Sequence, residues 1–210
     1  MGKNKRTASN LELVGGRLCL DFANTLSTRS EGQSREYLTD YGQLVAWSQR
    51  TGILTGDATG VLLDSAASRP DLAAAALEQA IAVRETIYRV FSATADGREA
   101  EGDDLSALNR ALHQALVRLE VVPSADTFHW SWVVGQDDLD YMLWPVVRSA
   151  ADLLTSDDLL RVRGCARGGC DWLFVDLSKN HSRRWCSMTM CGSRVKARRY
   201  YRRRSGKERG

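Results

Sequence analysis

The 210-residue sequence predicts a mainly α-helical fold with one small β-hairpin, an α+β arrangement, that ends in a short cysteine-rich unit. Three patterns support this prediction. Apolar residues recur at intervals of three and four over most of the first 157 residues, which is the spacing of amphipathic helices. One short stretch instead alternates at period two, as a strand does. Four of the five cysteines lie within the 27 residues from 165 to 191.

Five segments carry the helical pattern, and most are bounded by residues that begin or end helices. Gly52 ends the first segment, Pro70 the second and Gly97 the third. Pro145 lies within the last segment and is expected to kink it unless the helix begins there. The stretch 18–26 follows a Gly-Gly turn and fits either a strand or a short helix. The predicted helices are 38–51, 57–68, 71–95, 105–119 and 139–154.

Period-two alternation predicts a β-hairpin between the fourth and fifth helices. Leu119 and Val121 belong to one strand, and Phe128, Trp130 and Trp132 belong to the other. Trp130 and Trp132 are expected to pack in the core, and stacking on nucleic-acid bases is the alternative. The region contains no Ser-His-Asp order, Gly-rich phosphate loop or HExxH motif, so no enzymatic activity is expected.

The net charge of +3 hides a division along the chain. Residues 161–210 hold 15 Lys and Arg against three acidic residues, which gives +12, and residues 1–160 hold 14 against 23, which gives −9. A basic segment of this kind indicates an anionic partner, usually nucleic acid or a membrane surface. No stretch approaches the ~18 apolar residues of a membrane span, and no secretory signal is visible. The expected location is cytoplasmic, with no membrane partner.

The four clustered cysteines follow the spacing C-x4-C-x15-C-x4-C and are Cys165, Cys170, Cys186 and Cys191. Two close pairs separated by about 15–20 residues are the general layout of a structural zinc site, because each turn supplies two thiolates to one tetrahedron. Free thiols and an iron–sulfur cluster are the alternatives, and His181 is a candidate competing ligand. Four protein ligands leave no position for water, so the predicted Zn²⁺ is structural rather than catalytic.

The segments around the cysteines predict a treble-clef-like zinc finger, built from a knuckle, a β-hairpin and a helix. Residues 172–175 and 183–186 are the predicted strands, and 193–204 is the predicted helix because no Pro or Gly interrupts it. The predicted domains are a mostly helical one at 11–157 and the finger at 161–205.

The predicted C-terminal helix is basic nearly all round. Like charges at i, i+4 destabilise a helix by a few tenths of a kcal/mol per pair, and a bound anion would offset this cost. Arginine suits bidentate contacts with phosphate and with guanine edges. Arginines near the cysteines would also offset the negative charge of a four-thiolate zinc site. The predicted nucleic-acid contacts are Arg183, Arg184, Arg194, Lys196, Arg198, Arg199, Arg202 and Arg203.

Two motifs resemble known bacterial families. Trp185-Cys-Ser-Met188 followed by Cys191-Gly-Ser-Arg194, with the upstream cysteine pair, resembles the CGNR-type zinc finger. The segment Gly15-Gly-Arg-Leu-Cys-Leu-Asp-Phe-Ala-Asn-Thr25 resembles the start of the helical ABATE domain that usually precedes this finger. The resemblance implies a bacterial stress-induced transcription regulator. Ser193 stands where the finger family has Asn, and both are good helix caps, so its expected role is structural capping, with base reading as the alternative.

Together these observations predict a DNA-binding transcriptional regulator. The zinc-organised helix is expected to contact double-stranded DNA, and the helical ABATE-like regulatory domain to sense a small-molecule effector or form a homodimer. An RNA-binding or ribosome-associated zinc protein is the first alternative, because Arg and Tyr serve RNA equally well. A ligand-binding or enzymatic N-terminal domain, with the finger as an anchor, is the second.

Overall fold

The computed structural model of the protein describes residues 6–29 and 34–207, without the side chains of residues 199 and 203–207. In this part of the chain, no helix is both long enough and apolar enough to cross a lipid bilayer. The helices are α1 (Leu18–Ala23), α2 (Tyr41–Arg50), α3 (Gly56–Ser68), α4 (Pro70–Ala95), α5 (Gly102–Leu116), α6 (Trp144–Leu154) and α7 (Ser193–Lys207). The strands form two antiparallel hairpins and are β1 (Leu119–Ser124), β2 (Thr127–Trp132), β3 (Val162–Gly164) and β4 (Leu173–Val175).

The predicted helices of the first 157 residues all form, and side chains satisfy free backbone N–H groups at two of their starts. Asp40 accepts a hydrogen bond from the Gln43 N–H at 2.9 Å before α2. Thr55 accepts one from the Ala58 N–H at 3.3 Å before α3. Pro70 not only follows α3 but also lies in the first turn of α4, where its missing N–H removes no helical hydrogen bond.

The structure resolves two stretches that the sequence left open. Leu18–Ala23 forms a helix rather than a strand, and Leu26 then makes an isolated bridge with Glu36. Pro145 stands in the first turn of α6, which begins at Trp144 after a short 3₁₀ turn. The proline therefore starts the helix and does not interrupt it.

The core is built around α1, which packs against α4, α6 and β4. The ring centroid of Phe22 lies 5.0 Å from that of Trp47 on α2. Cys19 is fully buried, and its burial raises the thiol pKa to about 12, so this cysteine is an unreactive core residue. Arg84 of α4 is only 2% exposed, and the Glu36 carboxylate accepts from it at 2.6 and 2.7 Å. This bidentate pair compensates for burying the guanidinium.

The β1–β2 hairpin forms as predicted, but the expected core packing of its tryptophans is correct for Trp132 and wrong for Trp130. Trp132 at the base is half-buried, with its ring centroid 5.8 Å from that of Trp144 on α6. Trp130 and Phe128 are instead 56% and 70% exposed. Alternation puts these rings on one face of the hairpin, but only Trp132 at the base packs closely against the helical body.

The second hairpin differs from the prediction in its pairing. β4 pairs with β3, which precedes the first cysteine, and Arg163 stands opposite Phe174. The predicted partner, 183–186, is not a strand. It passes beside the start of the turn between Cys165 and Cys170, where the Arg184 carbonyl accepts from the Ala166 N–H at 2.8 Å. The finger hairpin therefore straddles the first cysteine pair instead of lying between the two pairs.

Candidate metal centre and basic helix

The four clustered cysteines converge on one point. The sulfur atoms of Cys165, Cys170, Cys186 and Cys191 all lie within 4.8 Å of one another. Cys170 is 3.9 Å from Cys186 and 3.8 Å from Cys191, and Cys186 is 3.4 Å from Cys191. A tetrahedral zinc ion with Zn–S distances of about 2.3 Å needs sulfur atoms about 3.8 Å apart. The cysteines are therefore positioned to hold one metal ion, consistent with the predicted Zn²⁺.

The finger hairpin holds the first cysteine pair in place. Cys165 follows β3 and Cys170 precedes β4, so the two paired strands fix both ends of the intervening turn. Gly169 has a φ of +71°, a conformation that a residue with a side chain rarely adopts. The N–H of Cys186 lies 3.4 Å from the Cys165 sulfur and links the second pair to the first.

The C-terminal helical segment begins earlier than predicted. A π-helical turn, Met188–Gly192, carries the last cysteine and runs directly into α7. Ser187 caps this turn, because its side chain accepts a hydrogen bond from the Met190 N–H at 3.3 Å. The Ser193 hydroxyl instead donates to the Met188 carbonyl at 2.8 Å. The predicted capping role of Ser193 is therefore wrong, since residue 193 is already inside a continuous helical segment.

Arg167 places a positive charge beside the sulfur cluster. Its Nε donates to the Cys191 sulfur at 3.1 Å, and a terminal nitrogen donates to the Gly169 carbonyl at 3.0 Å. A neighbouring guanidinium favours the thiolate form that a metal requires. The finger therefore offsets part of its own ligand charge, as the sequence predicted for arginines in this region.

Three of the predicted contact residues on α7 line one groove, which we call the arginine groove. Arg194, Arg198 and Arg202 lie at i, i+4 and i+8, and across a cavity of about 280 Å³ they face the cysteine turn at 166–168. All three are exposed, as is Lys196 on the neighbouring face of the helix. The zinc-held turn forms one wall of the groove and the arginines form the other. Such a groove suits an anion with several oxygen acceptors.

Two other candidate residues, Arg184 and His181, lie outside the arginine groove. Arg184 is exposed, with its guanidinium carbon 5.8 Å from the Trp185 ring centroid. Arg199 and Arg203 belong to α7, and their side chains lie outside the described part of the structure. His181, the candidate competing ligand, is not a member of the sulfur cluster.

Arg183 connects the finger to the helical body. Its guanidinium donates to the Val14 carbonyl at 2.9 Å and to the carbonyl of Cys186. It also lies 4.1 Å from the ring centroid of Phe174. These contacts engage the guanidinium inside the protein, so the geometry lends no support to its predicted contact with nucleic acid.

The segment 15–29 forms the surface on which the finger docks, a role that the sequence reasoning missed. Asn24 donates to the Leu173 carbonyl and accepts from the Leu173 N–H, both at 2.9 Å. The Gly15 carbonyl accepts from the Val175 N–H at 2.8 Å. Asn24 is 1% exposed. A buried polar residue within an apolar run was the available signal, because such a residue needs a hydrogen-bonding partner.

The end of this segment makes further contacts with the finger. The Trp172 indole donates to the Leu26 carbonyl at 3.0 Å. The Asp171 carboxylate accepts from the Thr28 hydroxyl at 3.0 Å and from the Arg29 N–H. Since residue 171 directly follows a cysteine of the cluster, the helical body holds the metal centre through a neighbouring residue.

Asp21 lies at the start of the same docking surface. Burial raises the pKa of its carboxyl to about 6, against the opposing effects of N–H groups from Gly15 and Val14 and the charge of Arg183. The Gly15 N–H donates to the carboxylate at 2.7 Å. The carboxylate is therefore held in place, but at a cost in desolvation.

A helical body fused to a four-cysteine finger with an arginine-rich helix is the architecture of a zinc-finger protein. Residues 16–157 match the sequence model of the ABATE family, described as "putative stress-induced transcription regulator". Residues 161–204 match the CGNR zinc finger. The chain belongs to the ABATE family and carries a CGNR zinc finger, as the motifs predicted. No curated protein matches the sequence.

Proposed function

We propose that the protein is a DNA-binding transcription regulator, and not an enzyme, in which the finger presents α7 to double-stranded DNA. The arginine groove is the observation that carries this proposal. Membership of a family described as transcription regulators supports the regulatory role. The net charge of +12 on residues 161–210, against −9 on the rest, directs phosphate toward the finger and away from the body.

The spacing of the groove arginines suits the DNA backbone. Arg194, Arg198 and Arg202 extend over eight residues of helix, or about 12 Å at 1.5 Å per residue. One strand of duplex DNA carries a phosphate about every 3.4 Å along the axis. The row therefore spans several phosphate positions, and each guanidinium can make a bidentate contact.

The test is a salt-titrated DNA-binding assay on the zinc-loaded full chain. We expect affinity to fall steeply with salt, because bound phosphates release counterions. The double variant Arg198→Ala/Arg202→Ala should reduce the slope of log K against log salt by about 2, one for each lost phosphate contact. Cys191→Ser and zinc chelation should abolish binding, since the cysteine turns position the groove.

A matched control keeps the total charge equal. Arg50→Ala/Arg110→Ala removes the same charge from exposed positions on α2 and α5 and should leave the slope unchanged. Equal effects of the two double variants would mean that overall charge, and not the arginine groove, governs binding. Binding that survives complete zinc removal would contradict the proposed mechanism.

RNA is the alternative ligand for the same groove. Exposed arginines with Tyr200 and Tyr201 on α7 suit phosphate contacts and base stacking in single-stranded regions. Competition between duplex DNA and structured RNA at one salt concentration separates the two. Preferential displacement by RNA would replace the DNA proposal with an RNA-binding one.

For the helical body we propose effector binding in a cavity of about 520 Å³ between α4, α5 and the loop before α6. Its volume lies in the range of small-molecule sites. Arg118 in its wall lies 3.3 Å from the Asp138 carboxylate and 5.7 Å from the Trp144 ring centroid, which provides polar and aromatic groups. A compound that binds there should raise the Tm of the wild type. Gln79→Trp, which places a ring in the cavity, should abolish this rise.

A further inference from the structure

The β1–β2 hairpin has one face that is entirely apolar. Residues directly opposite each other in an antiparallel pair lie on the same face of the sheet. We define the apolar hairpin face by the three cross-strand pairs from base to tip, which are Leu119 with Trp132, Val121 with Trp130 and Pro123 with Phe128.

Only the base of the apolar hairpin face is covered by residues that the structure describes. Further out, the Trp130 ring centroid lies 5.1 Å from the guanidinium carbon of Arg148 on α6. Toward the tip, Val121 is 55% and Phe128 is 70% exposed. A two-stranded hairpin is only marginally stable in water without support. Exposed contiguous apolar surface of this kind indicates an interaction site.

We infer that the apolar hairpin face is the interface of a symmetric homodimer, formed with the same face of a second copy of this chain. A two-fold axis pairs the same surface patch on both subunits, so a self-complementary face is required. The inference deepens the dimerisation expected of the proposed regulator. It rests on the exposed face and not on the choice of nucleic acid.

The size of the exposed surface fits such a dimer. A fully buried aromatic side chain contributes about 150–250 Å². At their exposures of 56% and 70%, Trp130 and Phe128 together offer about 250 Å², and Val121 and Pro123 bring the total to about 400 Å². Each partner of a standard interface buries about 800 Å², a little over half of it apolar. The face therefore provides most of the apolar area that one partner contributes.

The charges beside the face also suit a second copy. Arg148 lies over Trp130, and its Nε is 4.0 Å from the Asp152 carboxylate one turn along α6. Each copy therefore brings one cation and one anion to the rim, which allows cross-pairing about a two-fold axis. Nucleic acid is a poorer occupant, because Asp126 lies at the tip of the hairpin and residues 1–160 carry a net charge of −9.

The test is the mass of the zinc-loaded full chain without nucleic acid, measured by light scattering and sedimentation over a micromolar concentration series. We expect twice the monomer mass for the wild type. Phe128→Ser/Trp130→Ser should weaken the dimer by at least about 100-fold, since exposed aromatic residues are typical hot spots. The matched control, Glu120→Ala/His129→Ala on the opposite face, should remain dimeric.

Phe128→Lys provides a second measurement if the double variant fails to fold. Its ring is 70% exposed, so the change should leave the fold intact while each copy brings an uncompensated positive charge to the apolar interface. A wild type that stays monomeric over the whole series overturns the inference. So does a folded Phe128→Lys variant that dimerises as well as the wild type. A dimeric wild type that fails to bind DNA would count against the proposed function alone.

Discussion

The Asn24 side chain takes the place of a neighbouring strand beside β4. Its amide both donates to and accepts from the backbone of Leu173, as a neighbouring strand would. Residue 175, which faces the same side of β4, donates its N–H to the Gly15 carbonyl, so the Asn24 amide has only residue 173 to satisfy. The contact joins α1 to the strand that follows the first cysteine pair, and thereby sets the position of the finger on the body.

Asn24→Ala should destabilise the protein strongly. The change leaves a buried N–H and a buried carbonyl unpaired, which costs about 2–4 kcal/mol in the free energy of unfolding. Urea unfolding of the zinc-loaded chain, followed by circular dichroism, measures this loss. Asn109→Ala, at an exposed position of α5, is the control and should change stability little. If both variants matched the wild type, Asn24 would have no docking role.

Asp21 makes stability depend on pH. Its pKa of about 6 is raised mainly by burial above the ordinary value of 3.8, so the folded state binds the proton more tightly than the unfolded state. The contribution of this residue to stability therefore rises as pH falls through 6, by about 1–1.5 kcal/mol between pH 8 and pH 5. Asp21→Asn should remove this contribution.

The comparison is made by urea unfolding of both proteins at several pH values with excess zinc. Protonation of the cysteines weakens zinc binding in both proteins, so their difference isolates Asp21. Glu12→Gln, which changes an exposed carboxylate just before the docking segment, serves as the control. A difference between wild type and Asp21→Asn that does not vary with pH would refute the assignment.

For individual residues, the sequence predicted the metal ligands but not the roles of two polar side chains, Arg183 and Ser193. The spacing of the cysteines is local, and it specifies a tetrahedral site almost by itself. Arg183 instead depends on the Val14 carbonyl, 169 residues away in the chain. Ser193 lost its predicted role because the helical segment begins before it. Such roles depend on tertiary contacts that no local pattern encodes.

Among the secondary-structure elements, the two hairpins show when the periodicity of apolar residues is sufficient to predict which strands pair. β1 and β2 are joined by a short turn, so alternation and turn residues together predicted their pairing. β4 had two candidate partners at similar sequence distance, one on each side. With β3 on one edge, β4 bonds through its other edge to Asn24 and Gly15, and the pattern of apolar residues does not show this contact. The helices were predictable because their periodicity and end signals also lie within short stretches of sequence.

The start of the C-terminal helical segment leads to a prediction about two serines. Ser187→Ala removes the cap of the π-helical turn and should cost about 1 kcal/mol. Ser193→Asn, which restores the residue typical of the finger family, should be nearly neutral, because an amide can also donate to the Met188 carbonyl. Urea unfolding with excess zinc measures both. A larger loss for Ser193→Asn than for Ser187→Ala would reverse the assignment of the cap.

In the whole molecule, the helical body and the finger share one hydrophobic core. Phe174 and Val175 of β4 are fully buried in the same cluster as Phe22 and Leu20 of α1. The two regions that match the family models, 16–157 and 161–204, therefore share a continuous packed interior and are not separated by a linker. Division of charge and composition along the chain predicted two units, but it carried no information about their contact.

Zinc removal should consequently destabilise the helical body as well as the finger. Loss of a structural zinc ion costs at least several kcal/mol, and we expect the Tm of the far-ultraviolet dichroism signal to fall by about 10 °C or more. The zinc-loaded chain should unfold in one transition. In Asn24→Ala, where docking is weakened, the effect of a chelator on the helices should be smaller. Two transitions in the wild type, the main one unchanged by chelation, would show independent units.

The hydrogen bond between Arg183 and the Val14 carbonyl limits how this finger can be transferred to another protein. A finger joined to its neighbour by a flexible linker can be cut out and fused to an unrelated protein. Here excision would strip partners from Arg183, from the backbone of Leu173 and from the indole of Trp172 in a single step. A graft that keeps the finger functional must therefore bring the segment 14–29 with it, as a short piece of the donor protein that the recipient does not possess.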